Sequence, residues 1–192
     1  MKILIIKAHP STKGFTHRIT NAYRKAKEKL GNDVEVLDLY KTDFKQDYLT
    51  FENLREIPFD PICDVVQAKI KEADELVFVH PMWWFTMPAI MKNFIDVNFG
   101  LGFAYKYKKF PILKGVPIGL LRGKTARIFV TCDGAKWMYK LIMSPYKFIW
   151  KYGILRFVGI KTKSITLFDR MRWKSPEELE KRLENVRKIA KA

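Results

Sequence analysis

Five short runs of strand character recur along this 192-residue chain, and segments with helical periodicity separate them. The runs are Lys2–Lys7 (KILIIK), Val34–Leu39 (VEVLDL), Glu75–His80 (ELVFVH), Lys124–Cys132 (KTARIFVTC) and Lys163–Phe168 (KSITLF). Most are continuously apolar over a few residues, as strands covered on both faces must be. Between them, Ile19, Ala22, Tyr23, Ala26 and Leu30 recur at helical spacing before a Gly31-Asn32 stop. Pro61 opens a second helix through Ala73, and Pro88 a third that carries Met91, Phe94 and Ile95 on one face. Ser175 followed by Pro176, Glu177 and Glu178 marks the start of a last helix, with Leu179, Leu183, Val186 and Ile189 along its apolar face. Five βα units in succession specify a parallel sheet with helices on both faces. Ligands of such sheets bind beyond the carboxyl ends of the strands, where the strand order reverses.

Two stretches resist this scheme. Thr42–Phe59 has no clear period and reads as a long excursion, a kind of segment that is more often functional than idle. Trp137–Trp150 is aromatic and is interrupted by Ser144-Pro145. No repeat, low-complexity tract or interdomain linker appears, so residues 1–192 are expected to form a single domain. Hydrophobic residues make up 48% of the chain and charged residues 29%, which excludes a disordered chain or a collagen-like one. Cys63 and Cys132 stand alone without a C-x-x-C pair, and the opening apolar run is too short for a signal peptide. A cytoplasmic location is the expectation.

The formal charge of +16 is unevenly placed. Residues 1–100 hold as many basic as acidic residues, so the whole excess lies in the second half. From Gly102 to Arg172 only Asp133 and Asp169 are acidic. Such a gradient suits an anionic cofactor, an anionic surface or nucleic acid. No helix-turn-helix, zinc or RNA-binding signature accompanies it, so no nucleic-acid partner is expected. His9, His17 and His80 give no metal-ligand spacing, and no metal is expected.

Three strand-end loops carry the candidate chemistry. The first, His9–His17, runs from a buried strand into a helix N-terminus, where backbone N–H groups and the helix dipole favour an anion. Ser11, Thr12 and Thr16 add hydroxyls, although ordinary helix capping accounts for them as well. The second, Pro81-Met-Trp-Trp-Phe-Thr-Met-Pro88, places three aromatics between prolines. That cluster can be core or interface, or it can wall a flat heteroaromatic ligand. The third, Thr131-Cys-Asp-Gly-Ala-Lys-Trp-Met-Tyr139, offers hydroxyls and a glycine that admits close ligand approach. Together at one sheet edge, a phosphate cradle beside an aromatic slot describes a site for flavin mononucleotide.

These residues resemble the flavodoxin-like NAD(P)H:quinone oxidoreductases, the DT-diaphorase group that includes the modulator-of-drug-activity and potassium-efflux ancillary flavoproteins. KILIIKAHP…GFTHRI, ADELVFVHPMWWFTMPAIMKNFID, GFAYKY, GKTARIFVTCDGAKWMY and LRFVGI carry the likeness in order along most of the chain. The resemblance implies a flavodoxin-like, doubly wound, five-stranded parallel sheet, FMN or alternatively FAD as cofactor, and NAD(P)H as co-substrate. It further implies a homodimer and ping-pong, two-electron reduction of a quinone-like acceptor. By position, His9, Phe15 and Thr16 match the family's flavin-phosphate loop. Pro81, Met82, Trp83, Trp84 and Phe85 match the segment along the flavin ring, and Thr131, Cys132, Asp133 and Gly134 the loop at its pyrimidine edge. Tyr139 matches a ring-proximal tyrosine and is the candidate catalytic group. Tyr105 and Tyr107 match aromatics that cover the substrate side of the partner's flavin in family dimers.

Three departures from the family pattern stand out. Gly14 replaces a common serine, and Pro145 stands where the larger enzymes have a histidine that assists charge relay. Asp133-Gly134 replaces a Gly-Gly pair, and a carboxylate there is expected to lower the flavin's reduction potential. A second function remains open: a flavin-binding electron carrier or regulatory flavoprotein, with little activity of its own, docked to a partner or to an anionic membrane. The segment Lys136–Arg156, in which lysines alternate with aromatics, suits such contact. It equally suits a flavin-lining and dimer-forming face whose lysines are solvated.

Overall fold

The computed structural model describes residues 1–53, 60–108, 115–142 and 144–192. Its centre is a five-stranded sheet of β1 (Lys2–Lys7), β2 (Asp33–Asp38), β3 (Glu75–Pro81), β6 (Thr125–Thr131) and β7 (Lys161–Phe168). The spatial order is β2-β1-β3-β6-β7 and every neighbouring pair is parallel. This is the doubly wound, flavodoxin-like arrangement, with its reversal of strand order between β1 and β3.

Because successive strand residues point to opposite faces, each buried strand feeds two cores. Ile3 and Ile5 of β1, Val77 and Val79 of β3, and Phe129 of β6 pack beneath α1 (Phe15–Glu28) and α6 (Pro176–Lys191). Leu4, Ile6, Phe78, Ile128 and Val130 face the other side, with Val66 and Ile70 of α2 (Pro61–Glu72) and Met91 and Phe94 of α3 (Ala89–Asn98). Trp150 is completely buried in that second core and lies 4.8 Å from the Phe78 ring. The Ser175 capping box opens α6 as its sequence suggests: the Ser175 hydroxyl accepts from the Glu178 N–H, and the Glu178 carboxylate accepts from the Ser175 N–H.

The two irregular stretches resolve differently. Of the excursion Thr42–Phe59, the described part forms one 3₁₀ turn, Thr42–Phe44, while residues 54–59 lie outside the described residues. Polar side chains tie this excursion to the body. Asn98 donates to the Gln46 side chain at 2.7 Å, and Asn93 donates to the Gln46 carbonyl at 3.0 Å. The aromatic stretch is not one helix but α4 (Lys136–Ile142), α5 (Ser144–Phe148) and a π-helical segment, Ile149–Arg156. A short antiparallel hairpin of β4 (Tyr105–Tyr107) and β5 (Pro117–Gly119) stands apart from the sheet and has no counterpart in the sequence reading.

Candidate functional site

The carboxyl ends of β1, β3 and β6 are stitched together by main-chain bonds. The Ala8 N–H donates to the Val79 carbonyl at 3.0 Å, and the Met82 N–H to the Thr131 carbonyl at 2.7 Å. The three candidate loops therefore emerge side by side. Two side-chain contacts join them: Thr16 and Thr131 hydroxyls lie 3.4 Å apart, and the Phe85 and Tyr139 rings lie 5.6 Å apart.

In the first loop, the His9 ring accepts a hydrogen bond from the Ser11 N–H at 3.0 Å and so folds the chain back on itself. A Cβ on Gly14 would sit 3.1 Å from that ring, so glycine lets the loop close tightly over His9. Gly14 is also the N-cap of α1, offers no side chain to cap it, and is followed by no acidic residue in the first turn. The helix opening is thus left to receive an anion. Phe15 turns its ring away from this loop, onto Phe168 in an edge-on contact at 5.9 Å, so what it contributes at the loop is backbone. Beneath the loop, Lys7 pairs with Asp38 at 2.7 Å, and its ammonium approaches His17 Nδ1 at 3.3 Å. Burial and the Lys7 charge hold the His17 pKa below its ordinary value.

The second loop contains a two-residue turn in which Trp83 and Thr86 exchange main-chain hydrogen bonds. Its central residues, Trp84 and Phe85, have φ of 50° and 59°. That left-handed conformation suits Asn-Gly rather than two aromatics, and it is the kind of local strain found at binding sites. Trp84 is 95% exposed, so burial of its own indole does not offset the strain. Pro81 and Met82 are buried and anchor the turn to the sheet, whereas Trp83 and Phe85 stand half out.

The third loop is packed around Tyr139. A Cβ on Gly134 would lie 2.4 Å from the Tyr139 hydroxyl, so no larger residue fits there without displacing the ring. Burial and the neighbouring Cys132 raise the Tyr139 pKa, and burial pushes the Cys132 thiol up to about 11. Both are protonated near neutral pH. Asp133 does not face the site as a free charge, because its carboxylate pairs with Arg172 Nε at 2.7 Å and accepts the Arg172 N–H at 3.2 Å. The loop after β7 supplies this clamp. Its Met171 N–H donates to the Cys132 carbonyl, and Asp169 accepts the Lys136 N–H at 3.0 Å. Sequence reasoning missed Arg172 and Asp169, and the Asp-Arg-Met-Arg run after the fifth strand was the one available signal.

Tyr105 and Tyr107 sit on β4, outside the three strand-end loops in sequence. Their rings contact each other at 5.6 Å, and Tyr105 rests edge-on against Phe157 at 4.9 Å. Behind the second loop, His80 is fully buried. Its Nδ1 bonds to the Pro81 carbonyl at 2.8 Å and its Nε2 to the Tyr146 hydroxyl at 3.1 Å, so the ring is neutral with the proton on Nδ1. Burial lowers its pKa to about 4.

This donor set fits a flavin: an uncapped helix start for phosphate, an exposed aromatic turn for the ring, and a glycine-closed loop for its polar edge. The sequence matches the family described as having a flavodoxin-like fold over residues 1–192. An FMN-dependent NADH:quinone oxidoreductase of Clostridium beijerinckii is 32% identical over 202 aligned residues, covering 98% of this chain and 91% of its own length. A ribosyldihydronicotinamide dehydrogenase-like protein of Penicillium crustosum is 31% identical, covering 84% and 70% respectively. The crystal structure of Smu.1420 from Streptococcus mutans superposes with a TM-score of 0.85 at 30% identity, over 99% of this chain and 98% of that one.

Proposed function

This chain belongs to the flavodoxin-like fold family, and from that premise we propose that it is an FMN-dependent NAD(P)H oxidoreductase reducing quinone-like acceptors by two electrons. The observation that carries this reading is the strained Trp83–Thr86 turn, held at the sheet's carboxyl edge beside Tyr139 and the uncapped start of α1. A turn of two left-handed aromatics is costly to maintain and is useful chiefly where a flat ring lies against it.

A bound flavin would supply the hydride-transfer chemistry between NAD(P)H and the acceptor. The protein's part is binding, orientation and protons. First-turn N–H groups of α1, with Ser11, Thr12 and Thr16, would hold the flavin phosphate, and His9 keeps that loop folded. Met82, Trp83, Trp84 and Phe85 would wall the flavin ring, and Thr131–Gly134 would meet its polar edge. Tyr139 keeps its proton at working pH and donates a hydrogen bond toward the oxygen that gains charge on the acceptor. One pocket serving both substrates in turn makes the kinetics ping-pong.

The unit of function is a homodimer of cytoplasmic, single-domain chains in which Tyr105 and Tyr107 cover the partner's ring site. The accessible, paired rings of these two tyrosines on a short hairpin outside the main sheet support this. The second reading, a carrier docked on an anionic membrane, draws on exposed Phe148, Ile149 and Tyr152 among Lys147, Lys151 and Arg156. Among the described residues no helix is long and apolar enough to cross a membrane, so such contact would be peripheral. Burial of these aromatics in the dimer, with the lysines left solvated, is favoured. Co-sedimentation with anionic liposomes at low salt, in a protein that sediments as a monomer, would reverse that preference.

Steady-state kinetics test the main proposal. Under anaerobic conditions the FMN-loaded protein should turn NAD(P)H over continuously only when a quinone is present, with parallel double-reciprocal lines. Bound FMN without such turnover would instead identify the carrier.

A further inference from the structure

On the outer edge of the sheet, adjoining Tyr139, an open cleft of about 570 Å³ runs between α4, β7 and α6. Its floor is the strand segment Ile165–Phe168, and its walls are strongly cationic. Two of its cations are already matched: Arg182 pairs with Asp169 at 3.1 Å, and Lys174 pairs with Glu178. Among the described residues these are the only carboxylates lining the cleft. Lys136, Lys147 and Lys181 also line it, and among the described residues none of them has a carboxylate partner.

Three ammonium groups without carboxylate partners around one concavity leave a net positive charge that an anion can meet. A phosphate monoester carries about −1.5 to −2 charge at neutral pH and is well met by lysines acting as point charges. The cleft is not isolated, because Tyr139 belongs both to it and to the proposed ring site. A ligand that uses both must be extended, with a flat reactive end and a remote anionic end. Of the substrates in the proposed reaction, NADPH has that shape, and NADH lacks the remote monoester.

We propose that this cleft binds the adenosine 2′-phosphate of NADPH, through Lys136, Lys147 and Lys181, and makes the chain selective for NADPH over NADH. This rests on the oxidoreductase reading above. The chemistry recognised is a phosphate-class dianion, and the alternative source is an anionic substituent on the acceptor.

The test uses the FMN-loaded full chain and the double variant Lys147→Gln/Lys181→Gln, neither position being part of the flavin site. Adenosine 2′,5′-bisphosphate and 5′-AMP are titrated calorimetrically, and KM and kcat are measured with NADPH and NADH. The expected result is tighter binding of the bisphosphate to the native chain. In the variant that advantage and the KM for NADPH should each worsen by at least about tenfold, while the NADH constants and kcat stay unchanged. Equal affinity of the native chain for the two adenosine nucleotides overturns the proposal. So does a variant that weakens NADH and NADPH alike, or one whose sole effect is on a sulfonated quinone relative to a neutral one, which assigns the cleft to the acceptor. If neither dinucleotide is oxidised but the bisphosphate still discriminates, the oxidoreductase reading fails while the phosphate site stands.

Discussion

Trp83 and Thr86 donate main-chain hydrogen bonds to each other at 3.0 and 2.9 Å, across two residues with positive φ. A left-handed backbone costs a side-chain-bearing residue about 1–2 kcal/mol, and neither Trp84 nor Phe85 recovers this by full burial. Replacing Trp84 by glycine removes that strain together with a piece of the aromatic wall. Trp84→Gly should raise the stability of the flavin-free protein by about 1 kcal/mol in urea unfolding and weaken FMN binding in a fluorescence titration. A variant less stable than the native chain would show that the turn is ordinary structure.

The Asp133–Arg172 pair modifies the effect expected of a carboxylate at the flavin edge. Paired, the carboxylate's negative charge is largely balanced. Arg172→Gln exposes it and should lower the flavin midpoint potential, whereas Asp133→Gly leaves the arginine behind and should raise it. Redox titration is expected to order the midpoints as Asp133→Gly, native, Arg172→Gln, from high to low. Because Arg172 is itself solvent-exposed, the spread should shrink as salt is added.

His80 gives the protein an acid sensitivity distinct from that of its carboxylates. In the folded chain burial holds its pKa near about 4, while in the unfolded chain it takes its ordinary value of about 6.5. Between those values the unfolded chain binds a proton that the folded one refuses, so stability falls as pH drops from about 6.5 toward 4. The loss is roughly 3 kcal/mol over that window. Urea unfolding at a series of pH values should show this limb in the native chain, and His80→Gln should flatten it.

At the opposite end of β3, Glu75 is fully buried and accepts from Tyr23 at 2.6 Å and Arg127 at 3.0 Å, with Lys163 at 3.3 Å and Lys27 at 3.8 Å. Burial works to raise its pKa, but the Tyr23 hydrogen bond and the three cations together lower it. Its contribution is therefore complete above the ordinary glutamate pKa of about 4.3 and is lost as pH falls below that. Glu75→Gln should destabilise the fold by about 3–5 kcal/mol at neutral pH, since it strands buried cations. Adding Lys27→Met should recover part of the loss. An unfolding free energy unchanged in Glu75→Gln would contradict this account.

The strands and the long helices were legible because each is short-range and periodic. Glu75–Pro81 is buried at every position, and Ser175–Glu178 forms the capping box its letters spell. The β4–β5 hairpin was not legible, because three-residue strands paired across a gap leave no periodic trace. The break of the aromatic stretch into α4, α5 and a π-helical segment follows from tertiary demands, with Tyr146 and Trp150 drawn inward to His80. At the site, loop membership could be read from the letters, but the orientation of side chains could not. Phe15 turns to Phe168 and Asp133 to Arg172 through contacts more than thirty residues away in sequence.

The central claim is that the three strand-end loops form a flavin site. Its most direct test is titration of the purified full chain with FMN, followed by absorbance under anaerobic conditions. The account expects one FMN bound per chain, a yellow spectrum bleached by NAD(P)H, and its return on adding a quinone. A colourless chain that binds neither FMN nor FAD under these conditions would contradict it.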